Sequence, residues 1–129
     1  MYAVKANPSP EIIRTLWDGG ITHFDVASIN EVRLVRGLLP DATLCFMHPV
    51  KAPEAITEAY FEHGVRTFSL DSHEELQKIV EATGGASDLT LCVRLRVSSA
   101  HSKLSLASKF GASIEEAPAL LLAARQAAD

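Results

Sequence analysis

Short apolar runs recur along the chain at a nearly constant interval. They are Tyr2-Ala3-Val4, Phe24-Asp25-Val26, Leu44-Cys45-Phe46-Met47, Thr67-Phe68-Ser69-Leu70 and the stretch from Leu89 to Val97. Runs this short and this apolar suit strands buried on both faces of a parallel sheet. Between them the apolar positions change to helix spacing: Ile12, Ile13, Leu16 and Trp17; Val32, Leu34, Val35 and Leu38; Ala55, Ile56, Ala59 and Tyr60; Leu76, Ile79 and Val80; and the Ala- and Leu-rich stretch Ala117 to Ala128. Pro10 and Pro53 suit first helical turns. Ser28-Ile29-Asn30-Glu31, Ser72-His73-Glu74-Glu75 and Ser113-Ile114-Glu115-Glu116 each fit a capping box, in which a serine and a glutamate satisfy the free N–H groups of a helix start. Gly19-Gly20, Gly37, Gly64 and Gly84-Gly85 stand at or near the predicted helix ends.

The pattern is therefore strand–helix, repeated about five times, with connections that suit neighbouring parallel strands. Two α/β architectures fit it: an open doubly wound sheet, or part of a (β/α)8 TIM barrel. No GxGxxG follows the first strand, which weakens the dinucleotide-binding version of the first.

Polar residues follow the same period. Lys5, Asp25, His48, Asp71 and Arg94 fall at the predicted strand ends, at spacings of 20, 23, 23 and 23 residues. Carboxyl ends of barrel strands build an active face, so the period predicts one mouth carrying an amine, two carboxylates, an imidazole and a guanidinium. A partly buried lysine beside carboxylates loses its proton more readily, and the neutral amine attacks carbonyls. Lys5 is thus the candidate Schiff-base former. Asp71 has a second reading, as a residue that only prepares the Ser72 cap.

Composition narrows the class. The 129 residues make one domain at most, and 47% apolar with 22% charged residues is ordinary globular composition. Twelve Lys and Arg against 16 Asp and Glu leave a net charge of −4 with no basic block, which argues against nucleic acid or an anionic membrane surface as partner. No apolar run reaches the roughly 18 residues of a membrane span, and no signal peptide opens the chain. Cys45 and Cys92 form no CxxC pair, so no metal or redox pair is expected, and a reduced cytoplasmic location is the default. Both cysteines read as buried thiols. His23, His63 and His73 read as surface or capping residues, and His101 as solvated loop. Trp17 and Tyr60 read as packing, and Glu54, Glu58 and Glu62 as one solvated helix face.

At Tyr2-Ala3-Val4-Lys5-Ala6-Asn7 the chain resembles the first barrel strand of the fold-type III pyridoxal-phosphate decarboxylases. Lys-Ala-Asn also occurs in alanine racemases, so this motif alone leaves the reaction open. Phe24-Asp25-Val26-Ala27-Ser28-Ile29-Asn30-Glu31 resembles a segment of ornithine and lysine decarboxylases, as does His48-Pro49-Val50-Lys51. Thr67-Phe68-Ser69-Leu70-Asp71-Ser72 with Glu75-Leu76, then Arg94-Leu95-Arg96, and Ser108-Lys109-Phe110-Gly111-Ala112 continue the likeness over essentially the whole chain.

The resemblance implies about five β/α units of an alanine racemase-like barrel, with residues 1–129 forming the amino-terminal part of the pyridoxal-phosphate-binding barrel. The remaining strands and a C-terminal β-domain would then lie outside this chain. Lys5 would be the lysine that carries pyridoxal 5'-phosphate. Asp25 would tune its charge, Arg94 and His48 would lie in the cofactor's surroundings, and Glu31 would be a supporting active-site carboxylate. Lys109 would lie near the interface of a homodimer. The implied activity is decarboxylation of a small amino-acid substrate, ornithine to putrescine first and lysine to cadaverine second, in polyamine biosynthesis. The isolated piece is expected to be inactive and, with two open sheet edges, prone to self-association. Diaminopimelate decarboxylase, an amino-acid racemase and a non-catalytic decarboxylase-like binding protein are the alternatives.

Overall fold

A computed structural model describes residues 1–97 and 110–128. The elements follow the predicted alternation: β1 (Tyr2–Ala3), α1 (Pro10–Asp18), β2 (His23–Val26), α2 (Ile29–Leu38), β3 (Thr43–Phe46), α3 (Pro53–Phe61), β4 (Thr67–Leu70), α4 (His73–Ala82), β5 (Thr90–Val93) and α5 (Ala117–Ala128). All neighbouring strands pair in parallel, in the order β1-β2-β3-β4-β5. A doubly wound sheet needs a reversal of strand order at its switch point, and none is present among the described residues. Consistently right-handed crossovers without reversal put successive helices on one side of the sheet. The fold is thus an α/β wall of five β/α units, part of a (β/α)8 barrel.

Strand alternation decides what each face carries. Phe24 and Val26, Leu44 and Phe46, and Phe68 and Leu70 are all buried (at most 2% exposed) and form one core with Ile13, Val32, Val35, Ile56 and Ile79 from the helices. The residues between them point to the other face. Those are Asp25, Cys45 and Ser69, so the barrel-interior face is polar where the helix-facing side is apolar.

The serine half of every cap forms, and the glutamate half keeps its expected partner only at Ser113. Ser28 and Ser72 accept the backbone N–H of Glu31 and Glu75 at 3.2 and 3.1 Å. Ser113 and Glu116 make the full reciprocal box. The Glu75 side chain, however, turns away from its box to Lys51 and Lys78. Gly37 is the penultimate residue of α2, and Gly20, Gly64, Gly84 and Gly85 take positive φ after helices. Glu58 is no bystander on a solvated face. It takes a forked ion pair from Arg33 of α2, with both contacts at 2.6 Å, and a contact from His63 at 3.1 Å. These hold its carboxyl down to about 2. His23 and His73 are exposed, and Trp17 and Tyr60 pack against the core. His101 and Lys109 lie outside the described residues.

The two sheet edges differ. Beyond β1 nothing pairs among the described residues. Beyond β5, Leu95 makes a parallel bridge to Ala112, with Arg96 N–H donating to the Ala112 carbonyl and Ala112 N–H to the Arg94 carbonyl, both at 2.8 Å. The returning segment 110–112 therefore covers the carboxyl end of that edge.

Candidate functional site

The site begins with a strand too short to continue. After Tyr2–Ala3 the chain enters a tight 3-10 turn, Val4–Ala6, closed by Asn7 N–H donating to the Val4 carbonyl at 3.1 Å. Val4 is fully buried and pins the turn, and the Tyr2 hydroxyl donates to the Asn7 carbonyl at 3.0 Å. Lys5 is the residue this turn lifts out: it is exposed. The sequence expectation of partial burial at Lys5 is not met within this chain, so desolvation of the amine would have to come from elements outside it.

Asp25 lies within β2 rather than at its end, opposite Ala3 on one side and Cys45 on the other. Arg94 follows β5 directly, its guanidinium 5.7 Å from the centre of the Phe110 ring. His48 comes two residues after β3 and packs edge-on against the same ring, centroids 5.4 Å apart. Lys5, Asp25, His48 and Arg94 share the lining of one cavity of about 660 Å³ with Ser69 and Phe110. That volume is in the range of small-ligand sites.

Burial pushes the Asp25 carboxyl above its ordinary value of 3.8, and the nearby Glu31 adds to this, while Lys5 and Arg94 oppose it. The sign follows from linkage. The folded state holds a proton that the unfolded state has released, so stability falls as pH rises from 3.8 through the raised folded value. Asp25→Asn is expected to remove that slope, because the amide does not titrate. Urea midpoints of both proteins across the acid range check it. Equal slopes would mean that Asp25 is not desolvated.

Three sequence assignments change. Asp71 does not join the mouth. Its carboxylate accepts the Gly111 N–H at 2.8 Å and so ties down the returning segment. Glu31 is absent from the cavity lining. Its Oε2 accepts the Ala27 N–H at 2.9 Å as part of the α2 cap, so it acts on the site through Ala27, which lines the cavity, and through its field on Asp25. Cys92 is half-buried and lines the cavity rather than sitting in the core. Burial raises the thiol of both cysteines, which keeps them in the protonated, unreactive form. Spacing also missed Ser69 and Phe110. Ser69 was legible as the polar residue of an apolar strand. Phe110 was marked only by the resemblance at Ser108 to Ala112, because it arrives from a segment outside the strand–helix period.

An amine at the lining of a ligand-sized cavity in a β/α-barrel wall, with charges of both signs beside it, is a donor set suited to a small charged ligand. The chain belongs to the pyridoxal-dependent decarboxylase family: residues 1–128 match the family's pyridoxal binding domain. It is 39% identical over 127 residues to a lysine/ornithine decarboxylase of Selenomonas ruminantium, covering 98% of this chain and 31% of that protein. A variant of SrLDC in complex with PLP superposes with a TM-score of 0.84 at 36% identity, covering 99% of this chain and 32% of the other. The arginine decarboxylase of Paramecium bursaria Chlorella virus superposes equally well, with a TM-score of 0.84 at 30% identity over 98% of this chain and 34% of its own. The chain thus spans about a third of the length of the relatives it matches. Among the described residues no helix is long and apolar enough to cross a membrane.

The donor set fits the family's cofactor, pyridoxal phosphate. Lys5 would be the amine for its aldehyde, Arg94 a cation for its anionic oxygens, and Asp25 a carboxylate of opposite charge to both. Phe110 adds an aromatic face beside them.

Proposed function

We propose that this chain supplies one wall of the pyridoxal-phosphate site of a cytoplasmic, homodimeric decarboxylase acting on a basic amino acid, ornithine first and lysine second, to give putrescine or cadaverine. The observation that carries the reading is the meeting of Lys5, Asp25 and Arg94 at a single cavity in a β/α-barrel wall. When bound, pyridoxal phosphate supplies an electron sink for the bond that breaks as CO2 leaves. Lys5 is the covalent attachment point. Asp25 offsets the positive charge of Lys5 and Arg94, and those two charges favour its ionised form against the burial that disfavours it. Arg94 draws anionic oxygen atoms to the β5 side of the mouth. Glu31 holds the start of α2 against Ala27, a residue of the cavity lining, and through its charge holds Asp25 up.

Incubation with pyridoxal phosphate, reduction with borohydride and peptide mapping test this. Lys5 is expected to carry nearly all the label, and Lys5→Ala to lose it. Lys51 is protected by burial and Lys78 by its bond to Glu75. Label spread over Lys51, Lys78, Lys103 and Lys109, unchanged in Lys5→Ala, would overturn the assignment. The chain by itself is expected to release no CO2 from ornithine, because Lys5 and Arg94 stand exposed to water and nothing among the described residues closes the mouth over them.

A further inference from the structure

Behind the cavity wall lies a buried charge cluster that the proposed reaction does not use. Lys51 ends the loop that begins with His48, and its side chain is 0% exposed. A buried ammonium is tolerated only when paired and fully hydrogen-bonded. Its three donors find three acceptors: the His48 carbonyl at 2.9 Å, the Ser69 carbonyl, and the Glu75 carboxylate at 3.0 Å. His48 and Ser69 both line the cavity, His48 just beyond β3 and Ser69 within its neighbour β4. The cluster is closed from behind as well. Glu75 Oε1 also accepts the Lys51 backbone N–H at 3.1 Å, and Lys78 joins the other Glu75 oxygen to the Lys51 carbonyl. One ammonium therefore cross-links two parts of the cavity wall and the first turn of α4.

The second observation is the His48 ring. The Val50 backbone N–H donates to its Nδ1 at 3.2 Å. A backbone N–H can only donate, so Nδ1 carries no proton, and the neutral ring holds its proton on Nε2. With Nδ1 turned back on its own loop, Nε2–H is the nitrogen left for the cavity.

We propose that Lys51 is a positioning residue for this site: by clamping the His48 and Ser69 carbonyls to Glu75, it holds His48 in one ring orientation as an Nε2–H donor to an acceptor atom of the bound molecule. The ligand part rests on the function proposed above. The clamp and the tautomer do not, and both are read without ligand.

The test is nitrogen-15 NMR of the full chain, with the His48 signals assigned by their loss in His48→Gln. The wild type at alkaline pH is expected to show a pyridine-type Nδ1 and a pyrrole-type Nε2 at His48. At neutral pH and low temperature it is also expected to show a slowly exchanging Lys51 ammonium coupled to the His48 and Ser69 carbonyl carbons. An Nδ1-protonated or averaged ring, or a fast-exchanging ammonium, overturns the proposal with no variant needed. The paired change Lys51→Met with Glu75→Gln removes both buried charges together. In it the His48 nitrogens are expected to average, and borohydride trapping of pyridoxal phosphate on Lys5 to slow on the order of tenfold or more, as misplaced binding groups do. A folded double variant that keeps the wild-type tautomer and trapping rate would mean that the cluster serves stability alone. Absence of selective Lys5 labelling in the wild type would instead count against the proposed function and leave the two NMR results standing.

Discussion

Glu75→Ala is expected to destabilise the chain by about 3–5 kcal/mol, measured as a fall in the urea midpoint, because it strands a charge. Glu75 is 3% exposed and Lys51 0%. Truncation leaves the Lys51 ammonium buried with its two carbonyl acceptors and no counter-charge, and leaves Lys78 without its carboxylate. For a domain whose whole stability is about 5–15 kcal/mol, that is a large share. The loss is specific to the pair. In Lys51→Met with Glu75→Ala the stranded charge is gone and an apolar chain fills part of the volume, so much of the stability should return. The coupling read from the double-mutant cycle should then be roughly 1–3 kcal/mol. Burial pushes the Lys51 ammonium below its ordinary value while Glu75 pulls it back, which is the same competition seen from the proton's side. A cost below about 1 kcal/mol for Glu75→Ala would show that water reaches the pair.

Gly111→Ala is the second large effect, and its cause is backbone rather than charge. Gly111 has φ +105°, a region that L side chains rarely adopt, and a Cβ there would meet Arg96 N at 2.6 Å and the Leu95 carbonyl carbon at 2.8 Å. Both contacts are main-chain atoms of the segment that pairs with Ala112, so no side chain can move aside. Strain of about 1–3 kcal/mol from φ alone is joined by overpacking of similar size. The chain's cheapest response is to release residues 110–112, which caps the expected loss at about 2–4 kcal/mol. The signature is local: the amides of Arg96 and Ala112 lose hydrogen-exchange protection, and Phe110 leaves Arg94 and His48. Gly20→Ala is the control, since Gly20 has φ +94° but nothing within 4 Å of a Cβ. The difference between the two variants isolates the steric part. Equal losses would show that the returning segment does not press on Arg96.

Both effects arise at residues that the sequence places only in part. Ser72-His73-Glu74-Glu75 reads as a capping box, and the serine half forms. The carboxylate is diverted because Lys51, 24 residues earlier, arrives in the same buried space. A local motif specifies a local hydrogen bond, but a buried charge elsewhere outweighs a solvent-exposed cap. Asp71 is misplaced for the same reason. Its period matches Lys5, Asp25, His48 and Arg94, yet a backbone N–H brought in from Gly111 claims its carboxylate.

What the sequence determined by itself is whatever repeats or is local. Alternation within Phe24-Asp25-Val26 and Thr67-Phe68-Ser69-Leu70 sets which side chains face the helices, since neighbours on a strand must point to opposite faces. Recurrence at 23 residues brings His48 and Arg94 to the same end of the sheet as Asp25, because each β/α unit returns the chain to the same edge. The resemblance at Tyr2 to Asn7 singled out Lys5 as the candidate amine. Tertiary structure alone decided the rest. It chose the barrel wall over the doubly wound sheet through strand order, sent Glu31 to its helix cap and Asp71 to Gly111, joined Lys51 to Glu75, and brought Phe110 beside His48 and Arg94. Each of those depends on which distant polar groups share a desolvated space, where an unpaired charge or N–H is costly, and separation along the chain carries no record of that.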